Sequence, residues 1–411
     1  MSSHGVPRTE RDRSPDQLKK DCENIEKYRA LDSQLRAQTS KSQFDLATLE
    51  LTTKLLRINP EYYTVWNTRR RCLMSGLLMK QSRKSPQPGA SEYPKNSKEP
   101  ICSSRSLRPT DSSGAEPKQH RPTASQHTTA PGRNKERGTE EGTNQSSKII
   151  GDELIFTLPL LIALPKCYWI WNYRMWTLEQ ATLLLPVESV KSIWQGELGL
   201  VSKMLSRDQR NYHAWAYRRY VVSHLESSEL DGQSMVESEF AYTTKMVNLN
   251  LSNFSAWHNR AQLIPRLLVE RNANDSLRRA FLDEEFSMID RGLNVGPEDQ
   301  SLWYYHQYLI FNVAEQPANL AIVPEMVVDD RVKLISRQVD FIKDLLEDYH
   351  DVKWIFEMLL EYTLLTYKLR NEPLGVEQSK ELVGWVASIK RLDPQRFNRW
   401  QELAKKLKIP D

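Results

Sequence analysis

Apolar positions along this chain recur at spacings of three and four. Leu46, Leu49, Leu55 and Leu56 fall on one side of a predicted helix that ends at Asn59-Pro60. A second helix is predicted to start at that proline, a residue tolerated in a first helical turn and disfavoured inside a helix. On it Trp66, Arg69, Arg70 and Leu73 stand at i, i+3, i+4 and i+7, one continuous face. The same two-helix phrase returns with Trp171 and Arg174, Trp215 and Arg218, and Trp257 and Arg260. A further copy keeps Trp303 but has His306 in the arginine position, and a degenerate one pairs Trp400 with Leu403. Asn211 and Asn253, four residues before their tryptophans, are candidate N-caps. Helical periodicity continues through RVKLISRQVDFIKDLLEDY and DVKWIFEMLLEYTLLTYKL. Strand alternation and Asn-Gly hairpins are absent, so the predicted class is all-α, a solenoid of helical hairpins.

The tryptophans at 66, 171, 215, 257 and 303 are 105, 44, 42 and 46 residues apart. Residues 79–148 interrupt the first interval with a Ser-, Pro- and Lys-rich stretch that holds no tryptophan. Such a composition buries too little apolar area to offset the entropy of ordering, so disorder is expected there. Removing those 70 residues leaves 35, and intervals of 35 to 46 suit a two-helix repeat. Pro60, Pro165, Pro297 and Pro394 each precede their tryptophan by six residues and set the register. The expected organisation is a disordered N-terminus at 1–20, solenoid at 21–78, insertion at 79–148, and solenoid again at 149–411.

Composition narrows the function classes. The net charge of +4 hides a surplus of 6 within residues 79–148, so the rest sums to −2 and no basic nucleic-acid face is indicated. The longest apolar run, LIFTLPLLIAL from 154 to 164, has 11 residues and contains Pro159. A membrane span needs about 20, so a buried helix is expected instead. The N-terminus lacks an apolar signal core, and the four cysteines are sparse and form no CxxC pair. These features read as a cytoplasmic chain without a transmembrane segment. The eight histidines are scattered, with no metal spacing.

Repetition bears on what Trp66, Arg69, Trp171, Arg174, Trp215, Arg218, Trp257, Arg260 and Trp303 do. An active site is singular, whereas an array needs the same joint at every interface. The tryptophans are therefore expected to fill the space between hairpins. Each arginine is expected to stack on an indole or pair with a carboxylate of an adjacent unit. Lys166, in PKCYWIW, is different. It is the one lysine in that slot, where Glu61, Arg210, Glu298 and Gln395 stand in other copies. A lysine at a helix N-terminus adds a point charge to the helix dipole, but read from the residues alone Lys166 is a solvated surface lysine.

PxxYxxWxxR, with its variants NYHAWAYRR and NFSAWHNR, resembles the α-subunit repeat of protein prenyltransferases, not the tetratricopeptide pattern. FSAWH followed by Ile264-Pro265, DQSLWYYH, Lys353-Trp354 and LDPQR (392–396) are similar to the type II, Rab-directed branch. The resemblance runs over about residues 40 to 405 apart from the insertion. It implies a right-handed α–α superhelix that wraps a β subunit and is active only as the heterodimer. The reaction implied is transfer of geranylgeranyl from its diphosphate to C-terminal cysteines of Rab GTPases presented by an escort protein. Zinc is expected on the β subunit and no metal on this chain. The resemblance assigns Lys166 to the diphosphate, as a catalytic cation, and Tyr212 and His213 to the same mouth. The immunoglobulin-like and leucine-rich domains of animal members are missing from the pattern. An α subunit of the farnesyl/type I enzymes and a non-catalytic scaffold are the competing readings.

Overall fold

The computed structural model describes residues 14–78, 140–315, 317 and 320–407. Fifteen α-helices and no strand occur among the described residues, which makes the architecture all-α as expected. The chain divides into two units, residues 1–152 and 153–411.

In the first unit α1 (Pro15–Ser40) leads into the hairpin α2 (Leu46–Ile58) and α3 (Tyr63–Cys72), and the unit ends within α4 (Glu140–Ala163). α1 begins six residues inside the segment expected to be disordered. Ser14 accepts from the Gln17 N–H while Gln17 answers the Ser14 N–H, a reciprocal cap backed by Pro15 in the first turn. Likewise α4 begins at Glu140, inside the expected insertion. What remains of the two disorder expectations falls on 1–13 and 79–139, outside the described residues.

The second unit continues α4 into α5 (Tyr168–Leu184). Four hairpins follow: α6 (Val187–Arg207) with α7 (Tyr212–Leu225), α8 (Val236–Leu249) with α9 (Phe254–Glu270), α10 (Asp275–Val295) with α11 (Gln300–Ala314), and α12 (Val328–Asp348) with α13 (Lys353–Arg370). α14 (Val376–Leu392) and α15 (Phe397–Lys406) close the unit. Second helices of neighbouring hairpins stack on one another, α5 on α7, α9 on α11 and α11 on α13.

Three local expectations are corrected. The second helices start at Tyr63 and Tyr168, three residues after the prolines, because Pro60 and Pro165 sit in the turn. Their carbonyls are what the turn uses: each accepts the indole N–H of the tryptophan six residues on, at 2.8 and 2.9 Å. Gln209 and Leu251 serve Trp215 and Trp257 in the same way, both at 2.8 Å, so the spacing belongs to the carbonyl and not to proline. Leu46 is exposed, and α2 turns Thr48, Leu51, Thr52, Leu55 and Leu56 inward instead. The run at 154–164 is two-faced: Leu160 and Leu161 are buried while Ile155 and Ile162 are exposed.

Candidate functional site

The repeat residues form joints. Trp66, Trp171, Trp215, Trp257 and Trp303 are all buried, as are Arg69, Arg174, Arg218 and Arg260. Each arginine reaches back to a hydroxyl of its own hairpin's first helix. Arg69 takes Thr52 (2.9 Å), Arg174 takes Thr157 (2.5 Å), Arg218 takes Ser202 (2.8 Å) and Arg260 takes Thr244 (2.7 Å). Forward, Arg174, Arg218 and Arg260 each make a two-pronged pair with a buried glutamate of the next hairpin, Glu197, Glu239 and Glu285. Parallel N–H···O bonds of this kind are the strong geometry for a guanidinium. Cation–π contact is made as well, not with an indole but with the rings of Tyr242 (3.5 Å from Arg218) and Phe240 (3.8 Å from Arg260). The hydroxyls of Tyr217 and Tyr305 complete the joints by donating to Glu197 and Glu285. Burial, then the Glu197 carboxylate, push the Tyr217 phenol far above its usual range, so it stays a donor.

His306 replaces arginine in the fifth joint, and Gln338 stands where glutamate would. The ring is fully buried: Nε2 lies 2.8 Å from Gln338 Oε1, and Nδ1 lies 2.9 Å from the Tyr362 hydroxyl. An amide oxygen only accepts, so Nε2 carries the proton and Nδ1 accepts from Tyr362. Burial pushes the His306 pKa down to about 4, against the opposing hydrogen bond to Gln338. The His306–Gln338 contact is therefore uncharged, where the forward contacts of Arg174, Arg218 and Arg260 are ionic.

Lys166 lies elsewhere, in the turn between α4 and α5, with its side chain exposed. No side chain caps α5, whereas Asn211 caps α7 by accepting from the Ala214 N–H at 3.1 Å. The buried Asn211 amide also donates across the joint to the Pro165 carbonyl at 3.1 Å, the same oxygen that accepts the Trp171 indole. The turn before α5 and the turn before α7 are thereby tied together. Tyr212 and His213 open α7 directly after that tie, Tyr212 exposed and His213 half-buried. His213 contacts the Tyr212 ring at 5.7 Å and the Tyr168 ring at 6.1 Å. Lys166, Tyr212 and His213 thus share one edge of the second unit, with an ammonium, a phenol and an imidazole on adjacent turns. Sequence reasoning missed Tyr168, on the same edge, and Asp208, whose carboxylate is 3.6 Å from the Lys166 ammonium. The tyrosine of the PKxY phrase was a usable signal for the first. No sequence spacing points to the second.

Among the described residues no three His, Cys, Asp or Glu side chains converge on a metal position. No described helix is long and apolar enough to cross a membrane.

The protein prenyltransferase alpha subunit repeat matches at residues 46–75, 150–181, 194–225, 236–267 and 282–313, one for each tryptophan joint from Trp66 to Trp303. A geranylgeranyl transferase type-2 subunit alpha of Schizosaccharomyces pombe is 28% identical over 410 residues, covering 98% of both chains. The chain belongs to the protein prenyltransferase alpha-subunit family. A Saccharomyces cerevisiae relative of the same description is 42% identical over 160 residues, 39% of this chain and 46% of the relative. Among solved structures, Candida albicans protein geranylgeranyltransferase-I complexed with GGPP aligns with a TM-score of 0.54 over 93% of this chain and 91% of that one. At 17% identity that likeness speaks for the prenyltransferase α-subunit fold alone.

Proposed function

We propose that this chain is the α subunit of a heterodimeric Rab geranylgeranyltransferase. It acts with a β subunit to move a geranylgeranyl group from its diphosphate to C-terminal cysteines of Rab GTPases that an escort protein presents. The type-2 description of relatives that match nearly end to end favours this over a farnesyl/type I α subunit and over a scaffold. The observation that carries the chemistry is Lys166 beside an uncapped α5 N-terminus, on an edge shared with Tyr212 and His213. When the allylic C–O bond breaks, its electron pair goes to the diphosphate while the cysteine sulfur bonds the carbon. Fixed donors aimed at that growing charge lower the barrier. Lys166 supplies the cation, and Tyr212 and His213 are further donors at the mouth. Zinc, which activates the thiolate, belongs to the β subunit in this reading.

The same edge offers the β subunit a surface. Leu164, Tyr168, Tyr212, Leu249, Phe254 and Val295 are all exposed at the turns between paired helices. Large apolar side chains gathered along one edge are the mark of a partner surface. The setting is the cytoplasm, where Rab tails are accessible. The test is Lys166→Ala in the assembled heterodimer, read by single-turnover transfer from geranylgeranyl diphosphate. Loss of one electrostatic contact of this kind lowers the chemical step by about a hundredfold. An unchanged single-turnover rate removes Lys166 from the mechanism.

A further inference from the structure

Asp208 stands seven residues before Trp215, in the turn between α6 and α7. The equivalent residues before Trp66 and Trp257 are Asn59 and Asn250. All three do the same backbone work: the side-chain oxygen accepts an N–H two residues on, from Glu61 (3.1 Å), Arg210 (3.3 Å) and Ser252 (3.0 Å). An asparagine therefore suffices for the turn, and the negative charge at 208 exceeds what the turn needs. That charge is spent on Lys166. Asp208 Oδ2 lies 3.6 Å from the ammonium, with the two side chains 78% and 37% exposed for lysine and aspartate.

Both ends of the pair are held by buried backbone contacts. Lys166 follows Pro165, whose carbonyl receives the Asn211 amide, and the Asn211 N–H donates to the Asp208 carbonyl at 3.1 Å. A second lysine–aspartate pair shows what a purely structural version looks like. Lys353 and Asp393 are also 3.6 Å apart, but Asp393 is 9% exposed and is held by Arg396 (2.8 Å) and the Trp400 indole (3.3 Å) as well. The Lys166–Asp208 pair is open to solvent and to an incoming anion.

We propose that Asp208 is a positioning residue for Lys166, holding the ammonium at the mouth when the site is empty and competing with diphosphate for it. The proposal rests on the diphosphate role assigned to Lys166 above. Two or more negative charges on a diphosphate outbid one carboxylate, so substrate captures the ammonium. After transfer, Asp208 offers the ammonium an alternative partner, which eases departure of the inorganic diphosphate.

The experiment is a double-mutant cycle on the heterodimer with its β subunit, using inorganic diphosphate as the probe by titration calorimetry and product inhibition. Asp208→Asn keeps the turn acceptor and is expected to tighten inorganic diphosphate by about twofold to fivefold, the range for an exposed ion pair. Lys166→Ala is expected to weaken it, and Asp208→Asn is expected to change nothing further in that background. Wild-type affinity in Asp208→Asn, with Lys166→Ala still weakened, overturns the role of Asp208 and leaves that of Lys166 standing. Wild-type affinity in Lys166→Ala overturns the underlying reading and this proposal with it. Tightening that persists without Lys166 shows that Asp208 acts by another route and also overturns it. Asp208→Ser, which retains a turn acceptor, repeats the test independently. Failure of both variants to assemble makes Asp208 structural and contradicts the proposal.

Discussion

Arg174 and Glu197, both almost fully buried, meet through two N–H···O bonds, and Glu197 also receives the Tyr217 hydroxyl of the following helix. One carboxylate thus ties two second helices through the first helix that lies between them. The arrangement recurs with Arg260, Glu285 and Tyr305, and in reduced form with Arg218 and Glu239. At that reduced joint Asn259 occupies the tyrosine position, and its amide donates to the Ser255 carbonyl instead. These joints link successive hairpins alongside the apolar core.

Arg218→Ala is expected to destabilise the array by about 3 to 5 kcal/mol, because truncating one partner leaves a buried carboxylate unpaired. Thermal midpoint and soluble yield fall together. Unaltered stability combined with lost transfer identifies Arg218 as a site residue and removes it from the joint.

Pro265 lies inside α9 and has no N–H to give the Ala261 carbonyl, which the Tyr308 hydroxyl of the next hairpin reaches at 3.2 Å. Tyr308→Phe is expected to cost about 1 kcal/mol or somewhat more, the usual loss for one buried acceptor. In a Pro265→Ala background the helix supplies its own N–H, and the cost of Tyr308→Phe shrinks. Equal costs in the two backgrounds by denaturant titration contradict the coupling.

Acid exposes the uncharged His306–Gln338 contact. His306, at about 4 in the fold against 6.5 unfolded, contributes stability above pH 6.5 that is lost as pH falls toward 4. By linkage the loss is about 3 kcal/mol. Asp290 works in the opposite sense: burial first of all raises its pKa from 3.8 to about 6, so its penalty above pH 6 is relieved over much the same window. Its carboxylate lies 3.8 Å from His306 Nε2 and accepts from the Gln338 amide at 3.3 Å. The two slopes offset each other in the wild type. Asp290→Asn is therefore expected to be the more stable protein at pH 7 and to lose stability more steeply between pH 6.5 and 4. Parallel pH–stability curves for the two proteins contradict this account.

The tryptophan spacing, the Asn211 and Asn253 caps and the all-α class were legible because they rest on local geometry repeated at near-constant intervals. The carboxylates were not. Glu197, Glu239 and Glu285 follow their arginines by 23, 21 and 25 residues, a variable offset that hides the pairing. Asp208 lies 42 residues from Lys166 and meets it only because Asn211 ties the two turns. The early start of α1 was readable in Ser14-Pro15-Asp16-Gln17, a capping phrase outweighed by the polar composition around it. The prolines marked the turns correctly but not the helix starts, since it is their carbonyls that the indoles use.

Reconstitution tests whether this chain is one half of a Rab geranylgeranyltransferase. The chain is mixed with a type-2 β subunit, an escort protein, a Rab GTPase and labelled geranylgeranyl diphosphate, and label on the Rab tail is counted. A one-to-one complex with the β subunit and transfer that needs both subunits and the escort protein are the expected result. Failure to bind the β subunit, or equal transfer with the escort protein left out, contradicts the account.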